Sequence, residues 1–266
     1  MRLSRSLALL ERQWYLLRGS PTRVVPLFGF VLTDVVLWGF ITRYLKKTGG
    51  GVDFVTSLLG AVVFWDYCVR VLHGVTMTFF EDVWSRNFLN IFASPLSLAE
   101  YLGGQVMSSL CTSAFGLAAM VAIATVVFGW SIGAYGLMAV PFVLVLFMFG
   151  TAMGIVGASV ILRFGPAAEW FVWPIPALIA PFASVYYPVA TLPAWMHVVA
   201  RVLPVSYVFE GLRAIAAGEP FAPGSLAIGA GLAALYVVAA CWTFARVYQH
   251  AVRTGLIARY SAETIT

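Results

Sequence analysis

Charged residues are scarce in this chain of 266 residues. They make up 10% of the sequence, and lysine occurs at only two positions, Lys46 and Lys47. No Gly-x-x-x-x-Gly-Lys-[Ser/Thr] motif surrounds them, so the sequence contains no P-loop that would cradle the phosphates of ATP. We therefore expect that this chain does not bind ATP in a P-loop.

Metal ligands and disulfide frameworks are also missing. The three histidines and three cysteines are widely separated, and no His-Glu-x-x-His or paired Cys/His spacing is present. Cys68, Cys111 and Cys241 fall inside apolar runs, where we interpret them as reduced packing residues. We therefore expect no catalytic centre and no cofactor in this chain. The first 23 residues carry five arginines and do not resemble a cleavable signal peptide.

Hydrophobic residues are abundant instead, at 61% of the sequence. Soluble domains contain roughly 45–50% apolar residues, so this composition predicts an integral membrane protein. The net charge of +5 does not require a nucleic-acid partner, because most basic residues flank the apolar runs.

The apolar runs predict an all-α membrane protein with six transmembrane helices. Residues 1–23 alternate leucines with arginines at helical spacing, which predicts an amphipathic helix in the membrane interface. Residues 24–248 form the predicted six-span domain, and residues 249–266 form a basic tail. The spans cover about residues 24–42, 52–79, 102–127, 134–162, 170–188 and 225–248.

The polar and aromatic segment of residues 80–101 lies between two of these apolar runs. Its charges cannot lie in hydrocarbon, so we place it at a membrane surface. The apolar residues within it have near-helical spacing up to Pro95, which predicts a short surface helix at residues 81–95 that docks onto another protein. A plain loop between helices is the alternative.

The second span carries charges in its middle. Asp66 and Arg70 are four residues apart and share a helical face, and His73 continues that face. Charges at this depth point into a bundle or a wet cavity, so this face either lines a translocation path or contains a self-neutralising structural pair. Aromatic side chains that could stack on sugar rings cluster toward the second and fifth spans, although interfacial packing would also explain them. These are Trp65, Tyr186 and Tyr187.

Residues 191–220 are too polar for a span and too apolar for a free loop. We predict two short helices that dip into the outer membrane face. Ten of the sixteen basic residues fall on the side that holds both termini, and five fall on the opposite side, which places both termini in the cytoplasm. The cluster of Arg43, Lys46 and Lys47 opposes this assignment.

Two motifs resemble one family. The first is the acidic-aromatic segment that ends in Ala93-Ser94-Pro95-Leu96-Ser97. The second begins at Tyr187-Pro188 and continues through Leu192-Pro193-Ala194-Trp195 to Pro204-Val205-Ser206-Tyr207, Glu210 and Arg213. Together with the order of the spans, these motifs resemble the permease subunit of type-2 ABC exporters, a group that moves polysaccharides, nodulation factors and drugs.

The resemblance implies a homodimer of this chain in a bacterial inner membrane, with two copies of a separate ABC ATPase. Residues 81–95 would be the coupling helix. Its docking residues would be Asp82, Trp84, Arg86, Phe88, Leu89 and Phe92, with Asp82 and Arg86 as charges at the rim. The substrate would be an amphipathic, glycan or lipid molecule moved outward.

Two other functions remain open from the sequence. A passive channel or ion carrier would use Asp34, Asp66, Arg70 and His73 and would conduct ions without ATP. An intramembrane serine protease would need Ser159 beside His73 on a neighbouring helix, but the glycine expected after such a serine is absent.

Overall fold

The computed structural model describes residues 3–19, 21–48, 52–85, 90–91, 94–220 and 222–256. Within these ranges the chain is helical and contains no β-strand. The α-helices are α1 (Leu3–Arg18), α2 (Pro21–Lys47), α3 (Val52–Trp84), α4 (Leu98–Phe128), α5 (Ala139–Phe164), α6 (Glu169–Val172), α7 (Ile175–Ile179), α8 (Ala194–Val202), α9 (Pro204–Ala216) and α10 (Pro223–Arg253). Three 3-10 helices cover Ile132–Met138, Pro166–Ala168 and Val189–Thr191.

Local sequence explains where several helices begin. Pro21, Pro204 and Pro223 each stand at the start of a helix, where the missing backbone N–H costs nothing because it would have no intrahelical partner. Helix α4 begins with a capping box in which Ser97 Oγ accepts from the backbone N–H of Glu100 and Glu100 Oε2 accepts from the N–H of Ser97. The third predicted span therefore begins at Leu98 rather than at residue 102.

Four helical segments of the described chain are long and apolar enough to cross a membrane. They are Ser57–Trp84, Leu98–Phe128, Ile132–Phe164 and Pro223–Arg253. This confirms the all-helical membrane class. The predicted first span lies within α2, and the predicted fifth span is divided into the short helices α6 and α7 in a proline-rich stretch. The full six-span topology stays a prediction.

Helix α3 lies at the centre of the bundle and packs against α2, α4, α5 and α9. Its contact with α5 is close because glycines face it: a Cβ atom on Gly150 or Gly154 would lie 2.7 Å from a backbone carbonyl oxygen of α3. Thr76 Oγ1 also donates to the Gly154 carbonyl at 3.1 Å. The Gly150–Gly154 motif therefore serves packing within this chain.

The bundle has two distinct ends. At the first, the α1 end, α1 packs against the start of α4 beside the end of α3. At the second, the α9 end, α9 and the Ile132–Met138 helix pack together beside the opposite half of the bundle. Two helices at the α1 end extend beyond the predicted limits of their spans: α3 continues past residue 79 to Trp84, and α10 continues into the predicted tail as far as Arg253.

Candidate functional site

A buried carboxylate organises the α1 end. Asp82, in the last turn of α3, has no solvent exposure. It accepts hydrogen bonds from Arg12 Nη2 at 2.5 Å, Tyr101 Oη at 2.8 Å and Gln105 Nε2 at 3.2 Å. Because the arginine supplies a compensating charge and the other two groups are neutral donors, the cost of burying the carboxylate is offset. This network joins α1, α3 and α4.

A second set of contacts seats α1 on the start of α4. Arg5 Nη1 lies 3.2 Å from Glu100 Oε2 and also donates to the carbonyl oxygen of Pro95. Ser6, which is fully buried, donates to the carbonyl oxygen of Glu100 at 3.1 Å. The polar face of α1 therefore points into the protein, and the apolar side chains of Leu7 and Trp14 lie on its exposed side.

The predicted docking helix at residues 81–95 is different in the structure. Glu81 to Trp84 are the last turn of α3, so no separate helix begins there. Asp82 was predicted as a rim charge, and this was wrong because it is internal to the bundle. Trp84 is 56% exposed and contacts Phe80, with 5.5 Å between ring centroids. Arg86, Phe88, Leu89 and Phe92 lie outside the described residues.

The charges in the middle of α3 are only partly covered. Asp66, Arg70 and His73 are all partly exposed, and they follow one face of the helix. Asp66 Oδ2 and His73 Nε2 have no hydrogen-bond partner, while Arg70 interacts electrostatically with Asp66 and packs beside Gly116 of α4. The face predicted from the sequence is thus present and partly exposed, while the unpartnered atoms of Asp66 and His73 are themselves buried.

Aromatic rings border this charged face. Tyr186 stacks on Trp38 of α2, with centroids 5.1 Å apart and planes 11° from parallel. Asp66 and Asp34 of α2 lie close enough to the Tyr186 hydroxyl for their negative charges to act on it. His73 contacts Trp173 at a centroid distance of 4.4 Å. Two acids, an arginine, a histidine and three aromatic rings therefore lie along one side of α3.

Two predicted aromatic residues have structural roles. Trp65 is 6% exposed and packs on Phe209 of α9, with centroids 6.1 Å apart. Tyr187 donates its hydroxyl to the Pro181 carbonyl at 2.7 Å and closes a turn. The structure therefore brings Tyr186 to the charged face and places Trp65 in the core.

The predicted outer motif forms the two short helices α8 and α9. Pro193 precedes the first turn of α8, and Pro204 opens α9. Trp195 is 64% exposed and contacts Phe182 at 6.0 Å between centroids. The hydroxyl of Tyr207 donates to the Arg201 carbonyl at 2.8 Å, which ties α9 back to α8.

Glu210 and Arg213 act together on the turn that precedes these helices. Glu210 Oε1 accepts from Arg213 Nη2 at 2.6 Å and from the backbone N–H of Val189 at 2.9 Å. Arg213 Nη1 donates to the carbonyl oxygen of Val185 at 3.3 Å. These two side chains therefore hold the backbone on both sides of Tyr186.

The arrangement does not support a serine protease. Ser159 donates its hydroxyl to the Ile155 carbonyl of its own helix at 2.8 Å, and it forms no hydrogen bond with His73. His73 instead contacts the ring of Trp173. Among the described residues, no group of three or more His, Cys, Asp or Glu side chains is placed to hold a metal ion.

Sequence reasoning missed the partners of Asp82. Arg12, Tyr101 and Gln105 lie 70, 19 and 23 residues from it in the chain. No local pattern links them, although the Ser97-x-x-Glu100 spacing was a sufficient signal for the start of α4. An acidic residue at the end of a long apolar helix was the remaining clue that a cation would pack there.

Comparison with protein families identifies the class. The ABC-2 type transporter family matches residues 5–216, which include most of α1, the charged face of α3 and both outer helices, α8 and α9. The chain belongs to this family and is an integral membrane protein, the permease component of an ABC transporter. Permeases of this family normally work with an ABC ATPase. No curated protein matches the chain.

Proposed function

We propose that this chain is the permease subunit of an ATP-driven exporter, which moves an amphipathic, glycan or lipid substrate outward. It works as a homodimer with two copies of a separate ABC ATPase, which bind ATP and Mg²⁺. The predicted topology places both chain termini at the α1 end, and this end faces the cytoplasm of a bacterial cell. The family match supports the permease role.

The observation that carries this proposal is the partly exposed charged face of α3. Asp66, Arg70 and His73 lie within a helix that is otherwise long and apolar enough to cross the membrane. An ionisable side chain in hydrocarbon costs several kcal/mol, so this face meets water or a second protein surface rather than lipid. A second copy that closes over it would complete a path between the two chains.

The same helix leads to the region that contacts the ATPase. Asp82 is held by α1 and α4, so the end of α3 has a defined position, and Trp84 projects from it into solvent. A rigid connection of this kind transmits a displacement instead of absorbing it. Trp84 is therefore a docking contact, together with Phe88, Leu89, Phe92 and Arg86 of the following segment.

The composition of the path indicates the substrate class. Tyr186 and Trp38 present stacked rings beside Asp34, Asp66 and Arg70. Aromatic faces bind apolar and sugar surfaces, and the adjacent charges would contact polar substituents. A substrate with both characters, such as an amphipathic lipid or a glycan, fits this lining.

Replacement of Trp84 by Asp tests the docking assignment. The chain and its candidate ATPase are co-expressed and purified through a tag on the ATPase. We expect Trp84→Asp to reduce the amount of recovered permease by about tenfold, because a large apolar contact at the centre of an interface is lost. The matched control is Trp195→Asp, which changes an equally exposed tryptophan at the α9 end. Equal recovery of both variants would contradict the proposal.

The charged face also favours a second candidate, a passive channel or ion carrier that uses Asp34, Asp66, Arg70 and His73. This function predicts ion flux through vesicles that contain the chain alone. The exporter predicts substrate movement only with the ATPase and ATP. Ion flux that is unchanged when the ATPase and ATP are both absent would favour the channel.

A further inference from the structure

The turn between α7 and α8 is held in an unfavourable conformation. Ser184 has a φ of 49°, in the left-handed region that side chains other than glycine rarely adopt. The residue is fully buried, and its hydroxyl has no hydrogen-bond partner. Such conformations persist only where surrounding contacts impose them, and they are concentrated at sites that move or bind.

Glu210 and Arg213 supply those contacts, and we call the two residues the outer clasp. Glu210 binds Val189 and Arg213 binds Val185, so the turn is held on both sides of Tyr186. The clasp is fixed to the bundle because the other face of α9 is buried. Its fully or almost fully buried side chains are Val205, Val208, Phe209 and Leu212.

The turn places the side chain of Tyr186 at the charged face of α3. Tyr186 stacks on Trp38, which lies one helical turn after Asp34 on α2, and both Asp34 and Asp66 lie close enough for their negative charges to act on the Tyr186 hydroxyl. The two rings therefore join α2 to the α9 end and lie beside the acidic pair. Displacement of the turn would remove Tyr186 from this position and separate the two rings.

We propose that Glu210 and Arg213 are positioning residues that hold Tyr186 against Trp38 as a cover over Asp34 and Asp66 at the α9 end. The cover opens when the clasp releases the turn, which lets substrate leave by that end. This inference rests on the proposed transport function. The clasp is suited to repeated opening because the Glu210 side chain is 45% exposed, and solvent-exposed ion pairs are weak.

The strained backbone supplies a force in the same direction. The free energy of a turn that is forced into the left-handed region falls when the turn relaxes. The conformation of Ser184 therefore favours the open state, and the clasp opposes it. Closed and open states of similar free energy are what a cycling gate requires. With the clasp alone the gate would stay closed, and with the backbone strain alone it would stay open.

Thiol labelling of a reporter cysteine tests the cover. Asp34→Cys is introduced in a chain whose three native cysteines are replaced by serine, and the full chain is placed in lipid nanodiscs without ATPase or nucleotide. We expect Glu210→Ala to raise the labelling rate by a charged, impermeant thiol reagent about tenfold, because two hydrogen bonds to the glutamate are lost. Ser184→Gly keeps the clasp and removes the strain, so we expect labelling to slow about threefold.

Two controls separate gating from general damage. Arg201→Ala changes an exposed arginine of α8 that is outside the clasp, and it should leave the rate unchanged. Arg213→Ala should lose protection of the reporter cysteine from the thiol reagent. Arg213→Lys retains the positive charge and should restore part of that protection without a change in melting temperature. Equal labelling in Glu210→Ala and the parent, or faster labelling in Ser184→Gly, would overturn the proposal. The labelling experiment contains no ATPase, so its result does not depend on ATP-driven transport. A failure of ATP-driven transport would contradict the proposed function but not the labelling result.

Discussion

Helix α3 carries two carboxylates with opposite surroundings. Asp82 at the α1 end has no exposure and accepts three hydrogen bonds from two other helices. Asp66 in the middle of the helix is partly exposed, and one of its carboxylate oxygens has no partner. One acid is therefore fully satisfied by partners inside this chain, and the other has a buried carboxylate oxygen without a hydrogen-bond partner.

This difference distinguishes a structural charge from one that we propose to serve transport. A buried ion that is fully hydrogen-bonded contributes to a unique arrangement of its neighbours, and removing one partner leaves the others unsatisfied. An acid that retains an unpaired oxygen in a membrane helix is costly to the fold, and proteins keep such residues where they serve a function. The comparison predicts that mutation of Asp82 mainly lowers stability, whereas mutation of Asp66 mainly lowers transport.

The largest expected effect on stability is that of Asp82→Ala. The change would leave Arg12, Tyr101 and Gln105 without their shared acceptor, so we expect the unfolding free energy to fall by about 3 to 5 kcal/mol. The measurement is denaturant or thermal unfolding of the purified chain in detergent. Glu11→Ala, which alters an exposed acid on α1, should change stability by less than about 0.5 kcal/mol. If the two variants matched, Asp82 would not be the structural acid of the pair.

A smaller effect is expected where α1 rests on α4. A methyl group on Gly104 would lie 2.6 Å from Leu9 Cδ1 and 2.8 Å from Leu9 Cβ, so Gly104→Ala should displace α1. Overpacking of this kind costs about 1 to 3 kcal/mol, and faster proteolysis within α1 would report the displacement. Gly231→Ala on α10 meets open space, and it should be neutral or slightly stabilising. Unchanged proteolysis of α1 in Gly104→Ala would show that the Asp82 network alone seats the helix.

The smallest effect on stability should come from Asp66→Asn. Because the charge is incompletely satisfied, its removal should change the unfolding free energy by less than about 1 kcal/mol in either direction. ATP-driven transport should nevertheless fall well below that of the parent, since the path loses its central acid. Parallel measurements of unfolding and of transport in proteoliposomes check this split. A loss of stability as large as that of Asp82→Ala, or transport at the parental rate, would remove the distinction between the two acids.

The membrane class and most helix positions could be predicted because both depend on local patterns. Long apolar runs predict helices that cross a membrane, and Gly19-Ser20-Pro21 predicts the break between α1 and α2. The second span was predicted to end at residue 79 and a separate surface helix to follow from residue 81, but Glu81 and Asp82 belong to the last turn of α3. Their polarity is accommodated by side chains of α1 and α4, which no local pattern reveals.

The candidate site was predicted to the extent that it lies on one helix. Asp66, Arg70 and His73 share a face because an α-helix repeats every 3.6 residues, and the structure retains that face. Their neighbours Asp34, Trp38 and Tyr186 come from distant parts of the chain. Such contacts depend on how the helices pack, which spacing along the chain does not encode.

The sequence by itself determined that this protein is a helical membrane protein, because hydrophobic run length and helical periodicity are properties of neighbouring residues. The permease role was implied only by the resemblance of two motifs to a known family. Only the tertiary structure decided that Asp82 is internal, that Arg5 and Arg12 of α1 pair with acids of the bundle, and that Glu210 and Arg213 hold the turn at Tyr186. The physical reason is that the cost of a charge depends on the partners that packing brings to it, and those partners come from distant positions in the chain.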